Sequence, residues 1–170
     1  MSSMLRMAIA AFMLQALHAG AEIPAAYAPI PVEAPFAFGD RTFDLTPALD
    51  RARAEGKLLF VYLGAKNCGY CKEYEMFLAR NRDALAPAYA QLVVADIRTW
   101  LTGPDVYLQV GKRKYSFKEF NALVGDGNGR VTYPRFWLVT ADMKPARKLP
   151  SGSKFYRDLE EHKRLIARPS

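Results

Sequence analysis

Three stretches of this chain are apolar at nearly every position: Leu58-Leu59-Phe60-Val61-Tyr62-Leu63, Leu92-Val93-Val94-Ala95-Asp96-Ile97 and Phe136-Trp137-Leu138-Val139. Unbroken runs of this length predict strands covered on both faces, the pattern of a mixed or parallel sheet. The segments between them are apolar only at helical spacing. Thr46 and Pro47 open a helix, Thr46 as N-cap and Pro47 at the first helical position, and it runs to Glu55 and stops at Gly56. A second helix, Lys72 to Ala79, carries Tyr74, Phe77 and Leu78 toward the core; Asn81 or Asp83 restarts it, and Pro87 disturbs it. The order helix, strand, helix, strand predicts an α/β unit with a right-handed crossover.

The pattern loosens after residue 97. Gly103-Pro104 marks a turn, and Val106 to Val110 is a short strand or an extended loop. Ser116 caps a short helix with Phe117, Phe120, Leu123 and Val124 on one face. Gly125 to Gly129 is a flexible turn; Arg130 occupies a ligand position and the required glycine is missing, so it is not a calcium loop. After the third strand, Asp142 to Pro145 turns the chain into an edge strand over Ala146–Leu149, making a hairpin. Ser153 opens a terminal helix with Phe155, Leu159, Leu165 and Ile166 on its apolar face. There are no internal repeats.

The N-terminal part reads differently. Arg6, the uncharged stretch Met7 to Leu17 and the small residues Ala19-Gly20-Ala21 form an export-signal pattern, with cleavage expected before Glu22. The apolar stretch is too short for a comfortable membrane span, so an uncleaved anchor ranks second. The expected division is a signal peptide over 1–21, a Pro-rich arm over 22–43 and one domain over 44–170. The arm holds Pro24, Pro29, Pro31 and Pro35 and is expected to be extended, with Phe36, Phe38 and Phe43 docking part of it.

A chain of 170 residues, 51% hydrophobic and 12% aromatic, has enough material for one folded domain. The net charge of +7 is scattered. Lys112-Arg113-Lys114 is the one basic run, and no nucleic-acid motif accompanies it, so no nucleic-acid partner is expected.

The chemistry is concentrated in the two cysteines, which form the motif Cys68-Gly69-Tyr70-Cys71 between the first strand and the second helix. A helix start offers unpaired N–H groups and the positive end of the macrodipole, both of which favour a thiolate. Activated cysteines of this kind have pKa values in the range of about 3.5–7.5. Lys66 and Lys72 flank the motif and would add about 0.3–1 kcal/mol each if close. A purely structural disulfide is the bland alternative, but a bridge closing so small a loop removes little chain entropy. Zinc needs more ligands than two cysteines. The histidines are His18, in the leader, and His162, expected on the surface of the terminal helix. A c-type haem motif needs histidine where Lys72 stands.

The strand–C-x-x-C–helix layout, Tyr133-Pro134 directly before the strand Arg135–Val139, and the ending of hairpin, Gly152 and terminal helix together resemble the thioredoxin superfamily. The resemblance covers roughly residues 46–167. It implies an α/β thioredoxin-like fold, a central mixed sheet flanked by helices, with residues 98–129 as an insertion before the proline-led strand. It implies that Cys68 and Cys71 are catalytic, that Pro134 is a cis-proline facing them, and that Gly69, Tyr70, Tyr133 and Pro134 touch substrate. The Gly69-Tyr70 dipeptide is similar to that of exported disulfide isomerases and reductases.

The implied activity is a periplasmic thiol–disulfide oxidoreductase that reduces or isomerises disulfides of exported proteins. It needs no metal or organic cofactor; a monomer is expected, and net reduction would require an electron-donating membrane partner, whereas a domain that is instead reoxidised would work as an oxidase. One departure is Tyr62, which stands six residues before Cys68 where the family keeps a buried aspartate; Glu73 and Glu75 are the candidates to replace it. The alternative of another class is a non-catalytic binding or assembly factor on the same fold.

Overall fold

A computed structural model of the chain describes residues 23–35, 39–103, 105–127 and 129–168. The signal-peptide expectation for residues 1–21, together with His18, Phe36, Phe38, Pro104 and Asn128, lies outside the described residues.

The centre is a pair of parallel strands, β3 (Leu58–Ala65) and β4 (Leu92–Thr99), in register from Leu58↔Leu92 to Ala65↔Thr99. Antiparallel β7 (Arg135–Val139) flanks β3, and β8 (Pro145–Arg147) follows it at one edge. β1 (Ile30–Val32) pairs parallel with β4 at the other edge, giving the order β1-β4-β3-β7-β8. Helices cover both faces, so the central strands are buried and mostly apolar, with Asp96, Arg98 and Arg135 as buried exceptions. Phe60, Tyr62 and Val94 face a layer of α2 (Gly69–Arg80), α3 (Arg82–Tyr89) and α5 (Leu159–Ile166). Leu59, Val61, Leu63, Val93, Ala95 and Ile97 face α1 (Thr46–Glu55) and α4 (Phe117–Leu123). This is the expected α/β architecture of thioredoxin type, a mixed sheet between helices with a cysteine pair at a helix start.

The insertion before β7 forms a second sheet. β5 (Asp105–Val110) and β6 (Arg113–Ser116) make a hairpin, and β2 (Asp40–Asp44) joins β5 in parallel. The basic run Lys112–Lys114 is thus divided between the turn and the start of β6. Ser116 caps α4 as expected and shares a capping box with Glu119.

Several boundaries differ from the expectation, each for a local reason. Thr46 is the first helical residue of α1 rather than its cap: Asp44 Oδ1 accepts the Thr46 N–H at 2.9 Å, and the Thr46 hydroxyl accepts Gly111 N–H. Helix α3 continues through Pro87, since buried Leu85 and Tyr89 outweigh one missing donor. The terminal helix starts at Leu159, not Ser153. Asp158 caps it by accepting Glu161 N–H at 2.7 Å, and Gly152–Phe155 is a separate 3-10 turn. The edge strand occupies 145–147 rather than 146–149, beside a register shift at Leu138/Val139.

Residues 23–32 are more than a linker. Ala25–Tyr27 is a 3-10 turn, Ile23 and Tyr27 are buried, and the Tyr27 hydroxyl donates to Leu78 O at 2.6 Å.

Candidate functional site: a disulfide at the end of the sheet

Register alone brings the site together. β3 and β4 are parallel and end side by side at Ala65 and Thr99. β7 is antiparallel and begins at that same end, with Arg135 opposite Leu63. Three segments therefore converge there: the loop from β3 into α2, the chain leaving β4, and Tyr133-Pro134 entering β7.

Cys68 and Cys71 are joined as a disulfide, with their Cα atoms 5.2 Å apart. Helix α2 begins at Gly69, earlier than the periodicity of its apolar residues indicates, so both cysteines belong to its first turn. Cys68 is the N-cap, and its Sγ accepts the Cys71 N–H at 3.1 Å. Cys71 Sγ accepts the N–H of Ala65, the last residue of β3, at 3.5 Å. The sulfur that caps a helix meets the N–H groups and dipole that stabilise negative charge. Cys68 is 4% exposed and Cys71 1%, so Cys68 is the outer of two sheltered residues. Gly69 has open space where a side chain would project.

Tyr70 is 60% exposed, and its carbonyl accepts the Tyr156 hydroxyl at 2.9 Å. The same hydroxyl reaches Glu73 Oε2 at 3.4 Å, which ties the motif to the segment before α5. The Tyr133–Pro134 peptide bond is cis. Pro134 is buried, and its carbonyl accepts the Gly152 N–H at 3.4 Å. Tyr133 is half-buried, and burial raises its phenol pKa above the ordinary value. The fold thus gathers Cys68, Gly69, Tyr70, Cys71, Tyr133 and Pro134 at one end of the sheet.

Under the motif lies a polar cluster that the sequence only half disclosed. The Tyr62 hydroxyl donates to Glu75 Oε1 at 2.9 Å, and Arg98 Nη1 stands 2.6 Å from the same oxygen. Arg98 Nη2 is 3.8 Å from Asp96 Oδ1, while Asp96 Oδ2 accepts the Ile23 N–H at 3.2 Å. Burial pushes the Tyr62 phenol far up, so it stays a neutral donor. The two acidic candidates are separated by this geometry. Glu75, one turn after Cys71 on α2, is the inward carboxylate bonded to Tyr62, and Glu73 is turned to Tyr156. Asp96 and Arg98 went unremarked in the sequence, although a charge inside an apolar strand run is a signal in itself.

His162 corrects the surface expectation: it is fully buried between α2, α3 and the 3-10 turn. Its Nδ1 lies 2.9 Å from the Phe155 carbonyl, which can only accept, so Nδ1 carries the proton. Nε2 then accepts from the Tyr89 hydroxyl at 2.9 Å, and Tyr89 accepts from Tyr74 at 2.8 Å. Burial lowers the His162 pKa to about 4. Its spacing from Leu159, Leu165 and Ile166 places it on the apolar face, and that was the available signal.

Among the described residues, no group of three or more His, Cys, Asp or Glu is placed to hold a metal ion, and no helix is long and apolar enough to cross a membrane. Comparison of the chain with protein-family models, curated proteins and solved structures finds no match in any of the three.

Proposed function

We propose that this chain is a thiol–disulfide oxidoreductase acting on disulfides of exported proteins in the periplasm. The observation that carries the reading is the Cys68–Cys71 disulfide at the capping position of α2, set where three loops converge. A bridge across two intervening residues constrains the unfolded chain weakly, so its value lies in opening and closing.

In the reduced form, Cys68 is the nucleophile. As the outer thiol at the cap, it loses its proton to solvent and its thiolate attacks one sulfur of a client disulfide. A Cys68–client bond forms, and the other client sulfur leaves as a thiolate that takes up a proton. Cys71, deprotonated in turn, attacks Cys68 Sγ. The Cys68–Cys71 bond closes, and the second client sulfur leaves and is protonated. Two electrons pass from the chain to the client; an external dithiol donor, for which a membrane protein is proposed, restores the reduced form. Isomerisation is the same first step followed by attack of another client thiol. Arg98 and Tyr62 hold the Glu75 carboxylate inward on α2, one turn after Cys71.

The test is substrate trapping. In Cys71→Ala the mixed disulfide is not resolved, so clients accumulate covalently on Cys68 and are released by reductant. Cys68→Ala gives no adducts. Absence of adducts in Cys71→Ala, with a partner still held non-covalently by the wild type, would favour the binding-factor alternative.

A further inference from the structure

The disulfide end of the sheet carries a second feature that the exchange chemistry does not use. Because β4 ends beside β3, the chain leaving it passes next to the loop that holds Cys68. The residues it sets down there are Trp100 and Leu101, 53% and 45% exposed. Their backbone is fixed from both sides. Lys66 N–H donates to Thr99 O at 2.9 Å, and Leu101 N–H donates to Asn67 Oδ1 at 3.0 Å. From the second sheet, Arg41 Nη1 donates to Thr99 Oγ1 at 2.7 Å and to Trp100 O at 2.9 Å. Two adjacent large apolar side chains left in solvent offer a contact surface, and their backbone order is already in place before a partner arrives.

The surroundings select the partner. Lys66 Nζ lies 5.4 Å from the centre of the Trp100 ring. The segments 66–72 and 99–103 carry Lys66 and Lys72 and no acidic residue. Of the neighbouring acids on α2, Glu75 faces inward to Arg98 and Glu73 faces Tyr156. The rim is therefore apolar with Lys66 set against it, while exposed Asp105 stands beyond its far end at the start of β5. The rim lies on the β4 flank of Cys68, opposite the Tyr133-Pro134 flank, so a client that runs across Cys68 from Tyr133 reaches it.

We propose that Trp100 and Leu101 form a docking rim for an extended client segment, taking an apolar side chain near the client's disulfide and setting acidic neighbours against Lys66 and Lys72. The inference rests on the redox reading of Cys68–Cys71 and adds the chemistry of the client. It does not involve bond exchange, so it is measured without it.

The chain has two tryptophans, Trp137 buried and Trp100 in solvent, so an emission shift on binding reports Trp100. Oxidised wild-type protein is titrated with two synthetic peptides in which serine replaces each cysteine. One carries Phe and Glu beside that serine; the other carries Ser and Lys there. The expected result is a saturable blue shift, with the Phe/Glu peptide binding at least about tenfold tighter and L101S weakening it by about tenfold. Equal binding of the two peptides, or unchanged binding in L101S, overturns the rim. A blue shift that grows with protein concentration in the absence of peptide assigns the surface to a second copy and overturns it too. Exchange with the corresponding cystine peptide is followed separately on reduced protein. No exchange defeats the redox reading, whereas rapid exchange with unselective binding defeats the docking rim alone.

Discussion

Gly64 is the residue on which the polar cluster beneath the disulfide depends. A side chain there would begin 2.6 Å from the Tyr62 hydroxyl oxygen and 2.8 Å from Arg98 Nη1, closer than a carbon atom is tolerated. The glycine is favoured by the approach of two side-chain ends, not by its backbone angles, and its replacement costs as much as buried Tyr62 and Arg98 resist giving way. Gly64→Ala should displace Tyr62 and Arg98 from Glu75 and destabilise the fold by about 1–3 kcal/mol, as overpacking does, measured by urea unfolding of the oxidised protein. A smaller loss would mean that the cluster shifts freely. At this scale the sequence disclosed the cysteines and the proline, because their chemistry is carried by residue type. It disclosed the role of Tyr62 only as a departure. The partners Asp96, Arg98 and Glu75 come from two different elements, and only the β3–β4 register and the rotation of α2 bring them together.

Among the elements, α5 is bound to α2 and α3 by the directed chain Tyr74 to Tyr89 to His162 to Phe155 O. That chain requires neutral His162. Its pKa is about 4 in the folded protein against 6.5 for the free side chain. Between those values the unfolded chain binds the extra proton and the folded one does not. Stability is therefore full above pH 6.5, falls as the pH drops toward 4, and is flat below, a loss of about 3 kcal/mol from this residue. Urea midpoints from pH 7 to pH 4 measure it, and His162→Gln should flatten this part of the profile. A wild-type slope that survives in the glutamine variant would assign the effect elsewhere. The elements themselves were legible in proportion to their burial. β3, β4 and β7 are covered on both faces and read as apolar runs broken in β4 only by Asp96 before its charged end. β6 was missed because Arg113-Lys114-Tyr115-Ser116 forms a half-exposed edge with no buried residue.

For the molecule as a whole, several attachments hold the inserted segment to the main sheet, among them the bond from Trp137 Nε1 to Asn121 Oδ1 at 2.9 Å, and two of them make distinct predictions. One is the buried ion pair between Asp126, in the turn after α4, and Arg135 at the start of β7. Removing one member of such a pair strands the other charge, so Asp126→Ala should cost about 3–5 kcal/mol, read from unfolding midpoints. An effect below 1 kcal/mol, a roughly surface-like value, would show that water reaches Arg135. The sequence marked residues 98–129 as an insertion and its helix correctly, but the β2–β5 pairing joins segments far apart along the chain and leaves no local trace. The other attachment is Arg41, which reaches from β2 to the carbonyls and hydroxyl of the segment leaving β4. Seen mechanically, the small sheet is a splint, and Arg41 is the pin that transmits its stiffness to the mouth of the redox pair. Without the pin, the core should keep its rigidity while the mouth loosens. In Arg41→Ala, deuterium should enter the Leu101 amide about tenfold faster, the loss of roughly one hydrogen bond's worth of protection, with β3 and β4 amides unchanged. Uniform acceleration would mean that the splint supports the entire domain.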